Sequence, residues 1–329
     1  MIMDLTADSQ AILLLCSRLA LSEEPAFKPL TLREWNSLAR KILDSSLSSP
    51  GGLLGSSTDR LKAELNLSDS QVERVLRLLE RGGGLAIDLE RLESLGIWVV
   101  TRADQCYPQR LRKRLRHAAP AILFGAGERE LLGQSGLAVV GSRHVDDHGK
   151  DCAEFIGNAC AHEGLVLYSG GARGVDAVAT QAALDARGTA VGVLAHSLDK
   201  AIRAPDTRPK LVSGDLALVT PYSPNAGFSV GAAMGRNKLI YALADYALVI
   251  ASDEGKGGTW AGATEALKAK WLPVFVLDGP DVPEGNRQLL QKGAISFPDS
   301  LLTHSLSLRD WLQTQTAGFK PPPAQARLF

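Results

Sequence analysis

Residues 165–185 read LVLYSGGARGVDAVATQAALD, and this stretch decides the fold. Its first four residues are a continuously apolar run, as a parallel strand buried on both faces requires. Three glycines then interrupt it at Gly170, Gly171 and Gly174, and from Asp176 an alanine-rich segment resumes at helical spacing. Strand, glycine-rich turn and helix make the first half of a βαβ unit. The same texture recurs after Gly133, with short apolar or β-branched runs at 137–140, 190–194, 216–220, 247–251 and 274–277 and helical stretches between most of them. The expectation is an α/β protein with a doubly wound, mostly parallel sheet covered by helices on both faces.

Upstream the pattern differs. Between about 5 and 95 the apolar residues fall at helical spacing, as in Ala11, Leu14, Leu15 and Leu19, then Trp35, Leu38, Ala39, Ile42 and Leu43. The turn formers of 45–57 (SSLSSPGGLLGSS) predict a loop, and Arg81-Gly82-Gly83-Gly84 is expected to end the helix that carries Val72, Val75, Leu76 and Leu79. IWVVT at 97–101 reads as the first strand. A small helical region over 1–95, a Rossmann-like α/β domain over 96–305 and an extended tail over 306–329, ending AGFKPPPAQARLF, are therefore expected.

Composition narrows the function. The 36 basic residues balance 36 acidic ones, so the chain lacks the overall basic excess of a non-specific nucleic-acid binder, and a DNA site must be a local patch. RLRKRLR at 110–116 and KAIRAPDTRPK at 200–210 are the basic runs, and the first is a candidate phosphate contact. Cys16, Cys106, Cys152 and Cys160 form no Cys-x-x-Cys pair, which argues against a disulfide framework or zinc ribbon. Without a signal pattern or a long apolar run, a cytoplasmic protein away from membranes is expected.

In such a sheet, ligands sit beyond the carboxyl ends of the strands, where loops lead into helix N-termini. Four loops occupy that position. Gly141-Ser142-Arg143 offers close backbone approach, a hydroxyl and a guanidinium fork. Ser169-Gly170-Gly171-Ala172-Arg173-Gly174 reads as a phosphate cradle at a helix start, with Asp176 taken as a helix cap. Gly235-Arg236-Asn237-Lys238 adds two cations and an amide, and the turn 254–259 (EGKGGT) adds Lys256, with Thr259 expected as a cap. Neither a P-loop nor a G-x-G-x-x-G fingerprint is present.

In this order, GSR, SGGARGVD, GRNKLI and a GGT turn closing on PVFV, preceded by Tyr107-Pro108-x-x-Leu111 and Ala119-Pro120-x-x-Leu123-Phe124-Gly125, the sequence resembles the DprA/Smf family over about 104–294. The resemblance implies an extended Rossmann fold that binds and protects single-stranded DNA in a basic pocket, forms a homodimer and helps to load a RecA-type recombinase during DNA uptake. By position it implies DNA contacts from Arg143, 169–174, Arg236 and Lys238. The sequence departs from the family pattern at Ala179-Thr180, at Ala204-Pro205-Asp206, at Lys238 in place of arginine, and at Ala233, where the family usually has an aromatic. Phe228 and Tyr222 are the nearby aromatics able to replace it.

Other readings stand beside this one. Residues 256–267 (KGGTWAGATEAL), with Glu265, faintly resemble the GGxGTxxE motif of lysine-decarboxylase-like nucleotide hydrolases, although the glutamate lies too far from Thr259. The terminal Gln325-Ala326-Arg327-Leu328-Phe329 resembles a sliding-clamp-binding peptide, in which Gln325, Leu328 and Phe329 would dock in an apolar groove. His144, His148 and Cys152 fall four apart, but Gly149 and the loop-like 144–147 speak against a continuous helix there, and no metal site is expected. With no G-x-S-x-G elbow either, no enzymatic chemistry and no cofactor are expected.

Overall fold

A computed structural model describes residues 5–21, 27–303, 307–321 and 329. The chain divides into two compact units. The first runs to Tyr107 and includes Leu115–Phe124. It contains α1 (Ala7–Cys16), α2 (Leu32–Leu43), α3 (Thr58–Leu65), α4 (Asp69–Leu79), α5 (Gly82–Ser94) and β1 (Ile97–Thr101). Helix α1 buries Ala11 through Leu15 in succession, which makes it the central helix, with α2, α4 and β1 packed around it. The two outer helices are amphipathic and begin with capping boxes, Thr31 with Glu34 and Ser68 with Gln71, each cap stabilising its helix by about 1 kcal/mol. The helix carrying Val72 to Leu79 ends ahead of Arg81 and the glycines at 82–84, as expected, but these glycines also begin the next helix. Leu79 ends α4, and the three glycines open α5 one residue beyond Arg81.

Helix α6 (Gln109–Leu115) and strand β2 (Ile122–Gly127) lead into the second unit, which holds Pro108–Arg114 and Gly125–Ala324. Its elements are β3 (Gly136–Val140), α7 (Asp147–His162), β4 (Val166–Ser169), α8 (Val175–Asp185), β5 (Ala190–Val193), α9 (Leu198–Ile202), α10 (Arg208–Val212), β6 (Leu216–Thr220), α11 (Val230–Leu243), β7 (Tyr246–Val249), α12 (Gly257–Ala269), β8 (Val274–Asp278), α13 (Glu284–Gln291), β9 (Ile295–Pro298) and α14 (Leu308–Gln315). The strands lie in the order β6-β5-β4-β3-β7-β8-β9, all parallel. From β3 the chain winds outward through β4 and β5 to β6, then returns through α11 to place β7 on the opposite side of β3. This is the doubly wound arrangement, and its switch point lies between β3 and β7. Helices α7 and α8 pack on each other and on β3 and β4, while α11 packs on β3, β4 and β5 and against α12.

Two sequence expectations change here. Part of the basic run is engaged within the protein: Arg110 pairs with Asp245 at 3.0 Å, and half-buried Arg114 donates to the carbonyls of Tyr241, Ala242 and Ala244 at the end of α11. Two arginines one helical turn apart thus neutralise the carbonyl end of α11, with burial holding Arg114 at about 10, below its ordinary value. Residues expected to be extended after 306 carry α14, whose Trp311 meets Phe297 edge-on at 5.1 Å and Phe275 at 5.4 Å. Among the described residues no helix is long and apolar enough to cross a membrane.

Candidate functional site

Beyond the carboxyl ends of β3 and β7 lies a cavity of about 400 Å³. Its walls come from Gly141–His144 after β3, from Ala251–Asp253 and Lys256–Thr259 around the start of α12, and from the face of α11 that carries Ala233, Arg236, Asn237, Ile240 and Tyr241. Hydrogen bonds hold these walls together. The Ser142 amide donates to the Ala251 carbonyl at 2.9 Å, and Thr259 Oγ1 donates to the Gly141 carbonyl at 3.0 Å. Thr259 is therefore a cross-strut in the first turn, and the cap position belongs to Lys256. Below the second loop, fully buried Asn286 accepts from the Ser252 amide at 2.9 Å and donates to Ile250 and Leu277 at 2.8 and 3.0 Å, fixing where β7 releases the chain.

The glycine-rich turn after β4 has an occupant of its own. Gly171 and Gly174 have φ of 63° and 81°, which a side chain rarely allows, and a Cβ on Gly174 would stand 2.4 Å from the Ser142 carbonyl. The turn so formed aims its amides at Asp176: Gly170 and Ala172 donate to Oδ2 at 3.1 and 3.4 Å. Asp176 is not the cap expected from sequence, since Gly174 caps α8 and Asp176 sits within the first turn. Its carboxylate is the anion that this cradle holds. Burial raises its pKa from 3.8 to about 6, against the opposing pull of Arg236 and the loop amides.

Arg236 crosses directly over this turn. It is 6% exposed, donates through Nη2 to the Gly170 carbonyl at 2.8 Å, and has a buried Nε with no hydrogen-bond partner among the described residues. Burial lowers its pKa, with Asp176 acting in the other direction. Gly170 has to be glycine for this to happen, because a Cβ there would lie 1.7 Å from Arg236 Nη1. Ser169 is buried too, donating to the Val139 carbonyl at 2.9 Å.

The cavity brings together Gly141, Ser142, Arg143, Ala172, Arg236, Asn237 and Lys256. Ser169, Gly170, Gly171, Arg173, Gly174 and Lys238 do not line it; Arg173 is exposed on its loop, and Lys238 lies off the face of α11 that Arg236 occupies. Asn237 donates to the Gly258 carbonyl at 3.0 Å and so also braces the wall. Because the amides of an α-helix's first turn have no intrahelical partners, the start of α12, with Lys256 beside it, presents positive charge to the cavity. Glu265, on which nucleotide hydrolysis would depend, is exposed on α12 and is not a lining residue.

Sequence reasoning undervalued the apolar rim. Phe228, Val230 and Met234 are 56, 72 and 42% exposed and line the cavity, and the Arg143 guanidinium lies 5.8 Å from the centre of the Phe228 ring. Of the two aromatics considered, Tyr222 is tied down by donating to the Ala232 carbonyl at 2.9 Å, whereas Phe228 faces solvent. The signal was a set of large apolar residues in an otherwise small and polar approach to α11. Gln325 and Leu328 lie outside the described residues.

The family model described as DNA recombination-mediator protein A matches residues 98–303, more than half of the chain. The DNA processing protein DprA of Streptococcus pneumoniae is 29% identical over 198 residues, covering 58% of this chain and 67% of that one. The curated relatives that the chain matches are covered over 53 to 67% of their own lengths. Among solved structures, the X-ray structure of DNA processing protein A from Streptococcus pneumoniae shares the fold with a TM-score of 0.64 at 22% identity, covering 92% of this chain and all of that one. DNA processing protein A from Helicobacter pylori, described with a single-stranded DNA binding mode, shares it with a TM-score of 0.53 at 23% identity, covering 68% of this chain and 97% of that one.

Proposed function

The chain belongs to the DNA recombination-mediator protein A (DprA/Smf) family, and from that premise we propose that it binds single-stranded DNA across the mouth of the cavity between β3 and β7. The observation that carries this reading is the pairing of Arg143 with exposed Phe228 on a rim that also bears Lys256 and the start of α12. A strand needs both features. Phosphates meet cations and helix-start amides, and a base meets an aromatic face, which accepts any base and so favours sequence-tolerant binding. Arg236 and the 169–174 turn act from beneath, holding the floor, while exposed Arg173 and half-buried Lys238 extend the positive track.

On this reading the protein works by binding and performs no bond-making step. It coats single strands, shields them from nucleases, and hands them in the cytoplasm to a RecA-type recombinase, acting as a homodimer. The Gln325-to-Phe329 peptide would tether it to a sliding clamp.

The test is fluorescence anisotropy of a labelled single-stranded oligonucleotide over a salt series, with the full chain and its Arg143→Ala/Lys256→Ala variant, against duplex and mononucleotide competitors. Salt-dependent binding that weakens in the variant and resists mononucleotide supports the reading. Absent binding, or complete displacement by a mononucleotide, would instead favour a nucleotide sensor using the same cavity.

A further inference from the structure

Away from this cavity, three groups of different chemistry converge at the start of α7. Asp146 caps the helix by accepting from the Gly149 amide at 2.8 Å, so the helix begins at Asp147 and continues through Gly149, contrary to the break expected there. His148 and Cys152 thereby stand one turn apart on one face, while His144 precedes the helix. Asp299, immediately after β9, comes to the same place. Gly279 lies beside it, where a Cβ would stand 3.1 Å from the Asp299 Cβ and 3.2 Å from Oδ2.

His148 Nε2 lies 3.4 Å from Asp299 Oδ2 and 3.6 Å from Cys152 Sγ, and all three donor atoms fall within 4.8 Å of one another. As a salt bridge the first contact is long, since charge-assisted N–H···O bonds close to about 2.7–2.9 Å. One ring nitrogen also faces two partners, and it can donate to or accept from only one of them well. A single central ion removes the conflict. Zinc bonds of about 2.0–2.1 Å to nitrogen, 2.3 Å to sulfur and 2.0–2.2 Å to oxygen, set at tetrahedral angles, put neighbouring donors about 3.3–3.6 Å apart. The two histidine distances already have that length. The sulfur–oxygen edge, at up to 4.8 Å, needs to close by about 1 Å, which a small side-chain rotation at Asp299 accomplishes.

We propose that His148, Cys152 and Asp299 form a binding site for a zinc-class divalent cation, with solvent completing the coordination. The mixed nitrogen, sulfur and oxygen donor set suits a borderline ion such as zinc rather than magnesium or calcium, which take oxygen ligands. Binding replaces the Cys152 S–H bond with a metal–sulfur bond and releases one proton to the buffer. The exposed imidazole of His148 provides the entry path. Bound there, the ion staples the first turn of α7 to the segment that follows β9. An ordinary His148–Asp299 ion pair would need no cysteine, and that difference can be read directly.

The experiment is a titration of the chelator-treated full chain with cobalt(II), following thiolate-to-cobalt charge-transfer absorption in the near ultraviolet and proton release, then displacement with zinc. One cobalt per chain, one proton released and bleaching by zinc are expected. Cys152→Ser should abolish the band. His148→Ala and Asp299→Asn should each weaken binding at least about 10-fold, since even changes to a ligand's supporting partners cost about 10–100-fold. Absence of the band from the wild type under excess cobalt overturns the proposal. So does an unchanged band in Cys152→Ser, which would assign the thiolate to another cysteine such as exposed Cys106. If Cys152→Ser fails to fold by circular dichroism, His148→Ala decides: His148 is exposed and its loss spares the core, so unchanged cobalt affinity in that variant is equally fatal.

Discussion

Replacing Gly170 with alanine places a methyl carbon 1.7 Å from Arg236 Nη1, 2.4 Å from Cζ and 2.5 Å from Nη2. The backbone at 170 is outside the left-handed region, so alanine brings no conformational strain of its own, and the whole effect passes through the guanidinium. Arg236 has to swing away and give up its 2.8 Å bond to the Gly170 carbonyl. A lost hydrogen bond from a charged donor costs about 1.5–3 kcal/mol, and forcing extra volume into packed surroundings costs about 1–3 kcal/mol. Partial relief through movement of the arginine leaves an expected loss of about 3 kcal/mol. In an Arg236→Ala background the obstacle is gone, and Gly170→Ala should be neutral or stabilising by up to about 1 kcal/mol through the stiffer unfolded chain. Urea unfolding of the wild type, both single variants and the double variant at neutral pH closes the cycle. A coupling of at least about 2 kcal/mol is expected; additivity within about 0.5 kcal/mol would refute the idea that Gly170 is glycine because of Arg236.

Three further outcomes follow from the same geometry. Phe228→Ala should weaken single-strand binding by about 1–3 kcal/mol, measured by anisotropy, and move the unfolding midpoint little because the ring is 56% exposed; unchanged affinity removes it from the site. Arg143→Ala should reduce the slope of log affinity against log salt by about 0.7, the share of one phosphate contact to a single strand. For Asp176, the folded pKa of about 6 lies above the ordinary 3.8, so its contribution to stability is complete below pH 4, falls as pH rises to about 6 and is flat above. That difference amounts to about 3 kcal/mol, so Asp176→Asn should gain on the wild type by that order between pH 4 and pH 7; parallel pH profiles would contradict it.

Much of the α/β architecture was legible because buried parallel strands are apolar throughout. The runs near 137, 165, 190, 216, 247 and 274 correspond to β3 through β8, with ends displaced by a residue or two. Strand β2 escaped because Gly125 and Gly127 interrupt its pattern, and β9 because ISFP is short, ends in proline and is only partly buried. At the site, glycine spacing identified the turns correctly, but spacing cannot say which anion a turn will hold. The answer depended on Asp176 folding back onto the turn that precedes it. The structural part that Arg110 and Arg114 play in the RLRKRLR run was hidden for a related reason: charge is visible in sequence, whereas the carbonyl ends of α11 that Arg114 meets lie more than a hundred positions away. The same separation hid Asp299 from His148.

The central position of β3 also governs the order in which the protein can be made. Its register joins Gly136–Ala138 to Val166–Tyr168 on one side and Leu137–Val140 to Tyr246–Val249 on the other. The first partner emerges from the ribosome soon after β3, the second only after β6 and α11. Until then β3 is a hydrophobic edge open to wrong pairings, and long-range parallel pairing of this kind is slow to form. The cavity is later still, because its last wall is the first turn of α12. A nascent or truncated chain ending before that turn has Arg143 and the glycine turn but no cavity. It is expected to depend on chaperones and to leave single strands alone until synthesis has passed Thr259.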